Sequence, residues 1–307
     1  MTPARGKTVL RPPAARQGPG SMPQSLVQKL DLVIARRAGG ALPGDRPGAG
    51  VGTGTELAQL RPYEVGDDVR QIDASATARS GEAYVRLHVP ERTLTTWLVV
   101  DISPSMAFGT ADRLKADVAE GTSLVIARLA VRRAGRVALM TFGAGVPVLH
   151  PPRAAKPGVV AVQRGLSEGV APDGRGDPLA LADALRRLGK VSSSQAGLVV
   201  VVSDFRDQDD WTRPLGALRA RHSVMAVEVR DPRETMLPAV GRLAVVDPET
   251  GRHIQVDTSR RAIRERFFAI EAEGRARVAR ELRRLRTDHV VLSTAGDWLR
   301  QLGRRLT

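Results

Sequence analysis

The greatest chemical capacity in this sequence lies in its oxygen donors. Asp101-Ile-Ser103-Pro-Ser105 sets a carboxylate and two hydroxyls at alternate positions directly after the apolar run Trp97–Val100. A second apolar run, Leu198–Val202, ends in Ser203-Asp204, and between the two Gly174-Arg-Gly176-Asp177-Pro178 leads into a helical stretch. If the apolar runs are strands of one sheet, Asp101, Ser103, Ser105, Asp177 and Asp204 converge from three loops on the same edge. Such hard oxygens suit Mg²⁺ or Mn²⁺ rather than zinc. The same residue types also cap helices and close turns. On that alternative Asp101 ends a strand, Ser105 caps the following helix, and Asp177 caps the helix beginning near Pro178.

Other chemistries fare worse. The chain has no cysteine, which excludes disulfides, thiolate catalysis, zinc fingers and iron–sulfur clusters. His88, His150, His222, His253 and His289 stand far apart, without metal or triad spacing. Gly48, Gly50, Gly52 and Gly54 resemble a phosphate loop only superficially. No Gly-Lys-Ser/Thr ending follows them and no apolar strand precedes them, so they read as a loop or bulged strand. An Mg²⁺-dependent phosphohydrolase or phosphoacceptor is the catalytic alternative. Against it, residue 103 is Ser where a second acid would serve, and only Arg206 follows the later strand to meet a phosphate.

The elements that must position these donors follow from periodicity. Short apolar runs at Trp97–Val100, Val137–Phe142, Leu198–Val202, Val224–Val229 and Val290–Leu292 alternate with amphipathic stretches. That alternation predicts an α/β protein with a doubly wound, mostly parallel sheet covered on both faces. Helices are expected near 113–133, 179–188, 259–285 and 298–306, and a helix with Leu26, Leu30, Val33 and Ile34 on one stripe near 25–37. Leu243–Val246 and His253–Val256 flank Asp247-Pro-Glu-Thr-Gly251, a hairpin signature. Three segments result: a flexible basic tail at 1–23, an N-terminal segment at 24–91 with some β structure packed on the main domain, and the main domain at 92–307.

Composition bounds the rest. At 42% hydrophobic, the 307-residue chain is too apolar for wholesale disorder and long enough for a sizeable core. No run approaches the roughly 18–20 apolar residues of a bilayer span, and no signal-like core opens the chain, so a soluble, cytoplasmic protein is expected. Lys+Arg 47 against Asp+Glu 33 gives +14, which invites a nucleic-acid reading. The arginines are spread along the chain among acids, and at 3% aromatics stacking platforms are scarce. In the Arg-rich stretch 260–286, Phe267, Phe268, Ile270, Val278, Leu282 and Leu285 suggest a face packed on the sheet. A solvated basic surface is therefore preferred to a nucleic-acid site.

The oxygen-donor loops resemble the metal-ion-dependent adhesion site of von Willebrand factor A-type domains. More closely, the chain resembles the bacterial domain-of-unknown-function family 58. That likeness is carried by Leu60-Arg-Pro-Tyr63-Glu-Val-Gly66-Asp67-Asp68-Val-Arg70-Gln-Ile72-Asp73, by Ala76-Thr-Ala-Arg79-Ser-Gly81-Glu82 and Glu91-Arg92. Asp231-Pro232-Arg233-Glu234 and Leu237-Pro238-Ala-Val-Gly241 extend it. The resemblance implies a von Willebrand A-like fold, a divalent cation held through Asp101, Ser103, Ser105 and Asp204, and a non-catalytic adaptor. Its implied partner is a MoxR-type AAA+ ATPase or that ATPase's client. Two positions depart from the pattern. Asp177 stands where the third metal loop usually supplies Thr, leaving it either as an added ligand or as a helix cap with water in its place. Ala74 and Ser75 follow Asp73 where relatives continue with Trp. Asp67-Asp68-x-Arg70 reads either as a ligand site or, preferably, as an ion-pair clasp holding the N-terminal segment to the main domain.

Overall fold

A computed structural model describes residues 52–88, 94–177, 179–192, 196–206 and 210–305. The tail at 1–23, the helix expected near 25–37 and the Gly-rich stretch up to residue 51 lie outside them. The chain divides into two compact units, one within Asp45–Thr93 and the other running from Leu94 to the C-terminus.

In the smaller unit, β1 (Gly52–Pro62) pairs antiparallel with β2 (Tyr84–His88), with register shifts near Leu57 that make β1 a bulged strand. Between them lie a short 3₁₀ turn at Val69–Gln71 and α1 (Ala74–Ser80). Most of the Tyr63–Asp73 stretch works locally. Asp67 accepts from Arg61 Nη2 at 2.7 Å and from the Glu64 amide, Asp68 caps the 3₁₀ turn, and Asp73 caps α1 while pairing with Arg86. Asp67 thus finds a cation six residues away, within the same unit.

The larger unit holds one six-stranded sheet in the order β10-β7-β6-β3-β4-β5. In chain order it runs β3 (Thr95–Asp101), α2 (Lys115–Arg132), β4 (Arg136–Phe142), β5 (Val148–Ala154), α3 (Ala155–Leu166) and α4 (Ala180–Val191). It continues through β6 (Leu198–Ser203), α5 (Thr212–Arg219), β7 (Ser223–Arg230), β8 (Arg242–Val246) and β9 (His253–Asp257). It ends with α6 (Arg261–Arg284), β10 (Asp288–Ser293) and α7 (Trp298–Arg305). All sheet neighbours are parallel except β4 and β5. β8 and β9 form a separate antiparallel ribbon.

Period-two alternation divides the sheet's side chains between two cores. Leu98 and Val100 of β3 face α2, α3 and α7, where Val118, Ile126, Leu129, Val162 and Leu302 are buried. Trp97 and Val99 face the opposite layer, where Leu181, Leu185, Leu188, Leu215 and Leu282 close over them. Each such side chain contributes ~1.5–3 kcal/mol by leaving water. From β3 the chain first adds β4 on one side and later β6 on the other, so the order reverses at β3. In doubly wound sheets a crevice opens at the strands' carboxyl ends at this point.

The expected central strands and the helices after residue 113 are present, with two differences. β5 carries Pro151 and Pro152, which hide it from strand reading and suit it to the sheet edge. The packed face expected along α6 is confined to its C-terminal half. Val278 and Leu282 are buried, whereas Phe268 and Ile270 are more than half exposed.

Next to the crevice, buried Glu228 of β7 is held by Arg230 Nε at 2.5 Å and by His289 Nε2 of β10 at 2.8 Å. Burial alone would raise its pKa, but these bonds and the arginine's charge outweigh it and hold the carboxyl below the ordinary 4.5. A depressed folded pKa stabilises above the unfolded value and loses that contribution as pH falls through the folded one. Acid unfolding should therefore steepen below about pH 4.5, and Glu228→Gln should flatten that dependence while lowering stability at neutral pH. Denaturant midpoints measured from pH 7 to pH 3 check this; parallel pH profiles for the two proteins would contradict it.

Candidate functional site

At the crevice, β3 ends in Asp101 and its neighbour β6 ends in Ser203, one residue beyond the Val100–Val202 register pair. The Ser203 hydroxyl donates to Asp101 Oδ2 at 2.6 Å, and the Ser103 amide donates to Oδ1 at 2.8 Å. The chain then turns through a 3₁₀ segment, Pro104–Ala107, with Ser103 at its N-cap. This places the Ser103 and Ser105 hydroxyl oxygens 3.1 Å apart, and Ser105 Oγ donates to Asp204 Oδ2 at 2.8 Å. Gly143 permits this close packing: with φ at 94°, a Cβ there would lie 2.7 Å from the Ser103 backbone nitrogen.

Four of the five residues read from the sequence therefore meet. Asp101, Ser103, Ser105 and Asp204 are each buried and joined by one chain of hydrogen bonds that runs from Asp101 through Ser103 and Ser105 to Asp204, with Ser203 donating at its Asp101 end. Asp177 does something else. Its Oδ1 accepts from the Leu179 amide at 3.0 Å, closing the turn into α4, and among the described residues it shares no hydrogen bond with the other four.

Four further side chains complete the site. Lys115, the first residue of α2, is 1% exposed, and its Nζ lies 2.6 Å from both Asp204 Oδ2 and Glu234 Oε1. Glu234 is positioned by a capping box: the Asp231 amide donates to Glu234 Oε2, and Asp231 in turn accepts from Thr110, Arg233 and Thr294. Arg206 extends the network to Glu234 and Glu271. The fourth is Glu249, from the β8–β9 turn, whose Oε1 accepts from the Ser105 amide at 3.0 Å.

The two central carboxylates differ in charge balance. Burial pushes Asp101 up, the negative charge of Asp204 adds to this, and its bonds from Ser203 and Ser103 only partly offset them, leaving its pKa at about 7. Asp204 is equally buried, yet the Lys115 charge and hydrogen bond bring its pKa below the ordinary value. Glu249 is raised, chiefly by burial, with Asp204 adding repulsion. Among the described residues Asp101 has no ion-pair partner, so its charge is the uncompensated one. Two carboxylates and two hydroxyls of this kind fit a hard dication. Among the described residues no three Asp, Glu or His side chains cluster as a carboxylate–imidazole cage.

Lys115 and Glu249 escaped the sequence reading. A lysine opening an apolar helix stripe was a signal for the first, because full burial of an ammonium demands paired carboxylates. For Glu249 the hairpin signature was legible, but its docking was not.

The sheet order, with an acidic and hydroxyl-bearing loop at its switch point, defines a von Willebrand A-like α/β protein. The chain belongs to the family described as "Protein of unknown function DUF58", which matches residues 59–277. It is 35% identical over 310 aligned residues to the uncharacterized protein Rv1480 of Mycobacterium tuberculosis, covering 99% of this chain and 96% of the relative. Among solved structures it is similar to the conserved hypothetical protein BatB of Bacteroides thetaiotaomicron at 14% identity, with a TM-score of 0.43 and 69% and 97% of the two chains covered. An aerotolerance-related membrane protein of Bacteroides fragilis matches at 12% identity, with a TM-score of 0.42 and 69% and 98% covered. The SpRpn10 VWA domain matches at 14% identity, with a TM-score of 0.34 and 45% and 75% covered.

The cytoplasmic placement expected from the sequence does not stand: the similar solved chains include an aerotolerance-related membrane protein of Bacteroides fragilis and an uncharacterized membrane-spanning protein of Vibrio fischeri. Among the described residues no helix is long and apolar enough to cross a membrane. The expectation failed because lack of a span does not exclude attachment to a membrane by other means.

Removing the Lys115 ammonium should be costly. Lys115→Ala leaves Asp204 and Glu234 buried without their shared cation, and the expected loss is about 3–5 kcal/mol. Equilibrium denaturation measures it. A loss below ~1 kcal/mol would show that the three charges are not coupled in the folded protein.

Proposed function

We propose that this protein is a non-catalytic protein-interaction module in which Asp101, Ser103, Ser105 and Asp204 hold Mg²⁺ or Mn²⁺. The observation that carries the reading is the convergence of these four buried side chains at the switch point, with Asp101 lacking a cationic partner among the described residues. A bound dication would supply positive charge there and a coordination position for an acidic residue of a partner. The chain's own residues do the rest. Ser203 and the Ser103 amide fix the Asp101 carboxylate, Lys115 fixes Asp204, and the turn held against Gly143 aims both hydroxyls at one point.

The partner this reading favours is a MoxR-type AAA+ ATPase or a protein on which such an ATPase acts. The family resemblance supports that choice, and its chemical requirement is an exposed Asp or Glu.

Co-expression with a MoxR-type ATPase followed by affinity capture tests the proposal. Capture should require Mg²⁺, fall at least about tenfold in EDTA, and fall similarly for Asp101→Asn, which keeps the side chain's shape. Binding that survives both EDTA and the substitution rules out the metal-bridged mechanism.

A further inference from the structure

Glu249 brings a third carboxylate to the Ser105 amide from outside β3 and β6, and its placement is built rather than incidental. Asp247 organises the β8–β9 turn by accepting from the Glu249 amide and from the Thr250 hydroxyl at 2.6 Å, while Gly251 takes φ 69° to close it. The turn is then pinned from outside the ribbon. The Gly174 amide donates to Pro248 O at 2.8 Å, and the Gly176 amide donates to Glu249 O at 3.1 Å. Gly176 leaves room for the acid: a Cβ at that position would collide with the Glu249 carboxylate. The side chain thus passes over a glycine to reach the Ser105 amide, beside the hydroxyl that meets Asp204.

The ribbon carrying Glu249 is suited to leave. Among the described residues β8 and β9 pair only with each other, and most of their residues are exposed. At the far end, the Thr258 amide and hydroxyl both donate to Gly241 O, making a fixed base. Isolated two-stranded ribbons have little stability of their own. The tip is held chiefly by the two glycine amides and the carboxylate itself, so its position depends on what that carboxylate binds.

We propose that Glu249 is a built-in acidic ligand of the site, occupying the approach that a partner's Asp or Glu would use, and that the β8–β9 ribbon is a guard displaced when such a residue enters. The inference rests on the metal-bridged reading above and adds its regulation: the resting protein is self-occluded, and a partner must outcompete a tethered carboxylate. Tethering gives Glu249 a high effective concentration, so weak or isolated acids are excluded, while a partner making further contacts displaces it.

The test uses the full chain, with Mn²⁺ as probe and free Mn²⁺ counted by electron paramagnetic resonance. Wild type should bind Mn²⁺, and Asp101→Asn should lose that binding. Glu249→Gln should bind about tenfold more weakly, and sodium acetate, a free carboxylate small enough for the vacated approach, should restore part of the affinity while leaving wild type unchanged. Glu249→Ala, which places nothing new beside Gly176, should behave like Glu249→Gln and guards against a local effect of the amide. If both Glu249 variants bind Mn²⁺ as wild type does, with no response to acetate, Glu249 is only a distant cap for the 3₁₀ segment and the guard is refuted. If wild type fails to bind, or Asp101→Asn binds as well as wild type, the metal reading itself fails and the guard falls with it.

Discussion

Two carboxylates taken out of water side by side are the constraint around which the larger unit is organised. Asp101 ends β3, Asp204 directly follows the end of the adjacent β6, and both are buried. Desolvating one carboxylate costs several kcal/mol, and a second nearby charge adds repulsion that water no longer screens. Neutralisation is therefore demanded by the fold itself. Lys115 answers for Asp204, but it reaches Asp204 and Glu234 together, so its single charge is already shared. Among the described residues Asp101 has hydrogen bonds only, and burial together with the Asp204 charge raises its pKa.

This accounting gives several sequence features a common purpose. Lys115 reaches the crevice because α2 begins there, after the 3₁₀ turn that follows β3. The Asp231-Pro-Arg-Glu234 stretch follows β7 and seats the second acceptor of the lysine through its capping box. Arg206, just beyond Asp204, links Glu234 to Glu271 of α6. Contributions from β3, β6, β7, α2 and α6 thus meet in one charge network. Such networks are strongly non-additive, because removing any member leaves others buried and unpaired.

How much of this was legible depended on whether the signal was local. Strands β3, β4, β6, β7 and β10 are continuous apolar runs because both sheet faces are covered, and such runs are readable one at a time. Asp101, Ser103, Ser105 and Asp204 were readable because each follows such a run, so finding the strand also finds its carboxyl end. β5 was hidden by its prolines. The exposed Phe268 and Ile270 broke the expectation for α6, because an apolar stripe shows what could pack, whereas the sheet's extent decides what does. Asp177, read as either a ligand or a helix cap, and Glu249, not read at all, were undecided for a related reason. Both are acids beside glycines in turns, and only the docking of the ribbon on Gly174 and Gly176 determines which of them reaches Ser105.

The overall charge and the charge of the site also point in opposite directions, and the distance scale reconciles them. The chain carries +14, yet the carboxylates of Asp101, Asp204, Glu234, Glu249 and Glu271 outnumber Lys115, Arg206 and Arg275 at the crevice. At physiological ionic strength exposed charges are screened within about 8 Å, so distant surface arginines do little to relieve the buried acids. Those arginines act instead on what approaches from solution, where a basic surface favours acidic partners over basic ones. On the metal-bridged reading, the contact at the crevice selects for the same property at short range. Long-range attraction and short-range coordination would then choose the same class of partner, although the residues responsible are of opposite sign.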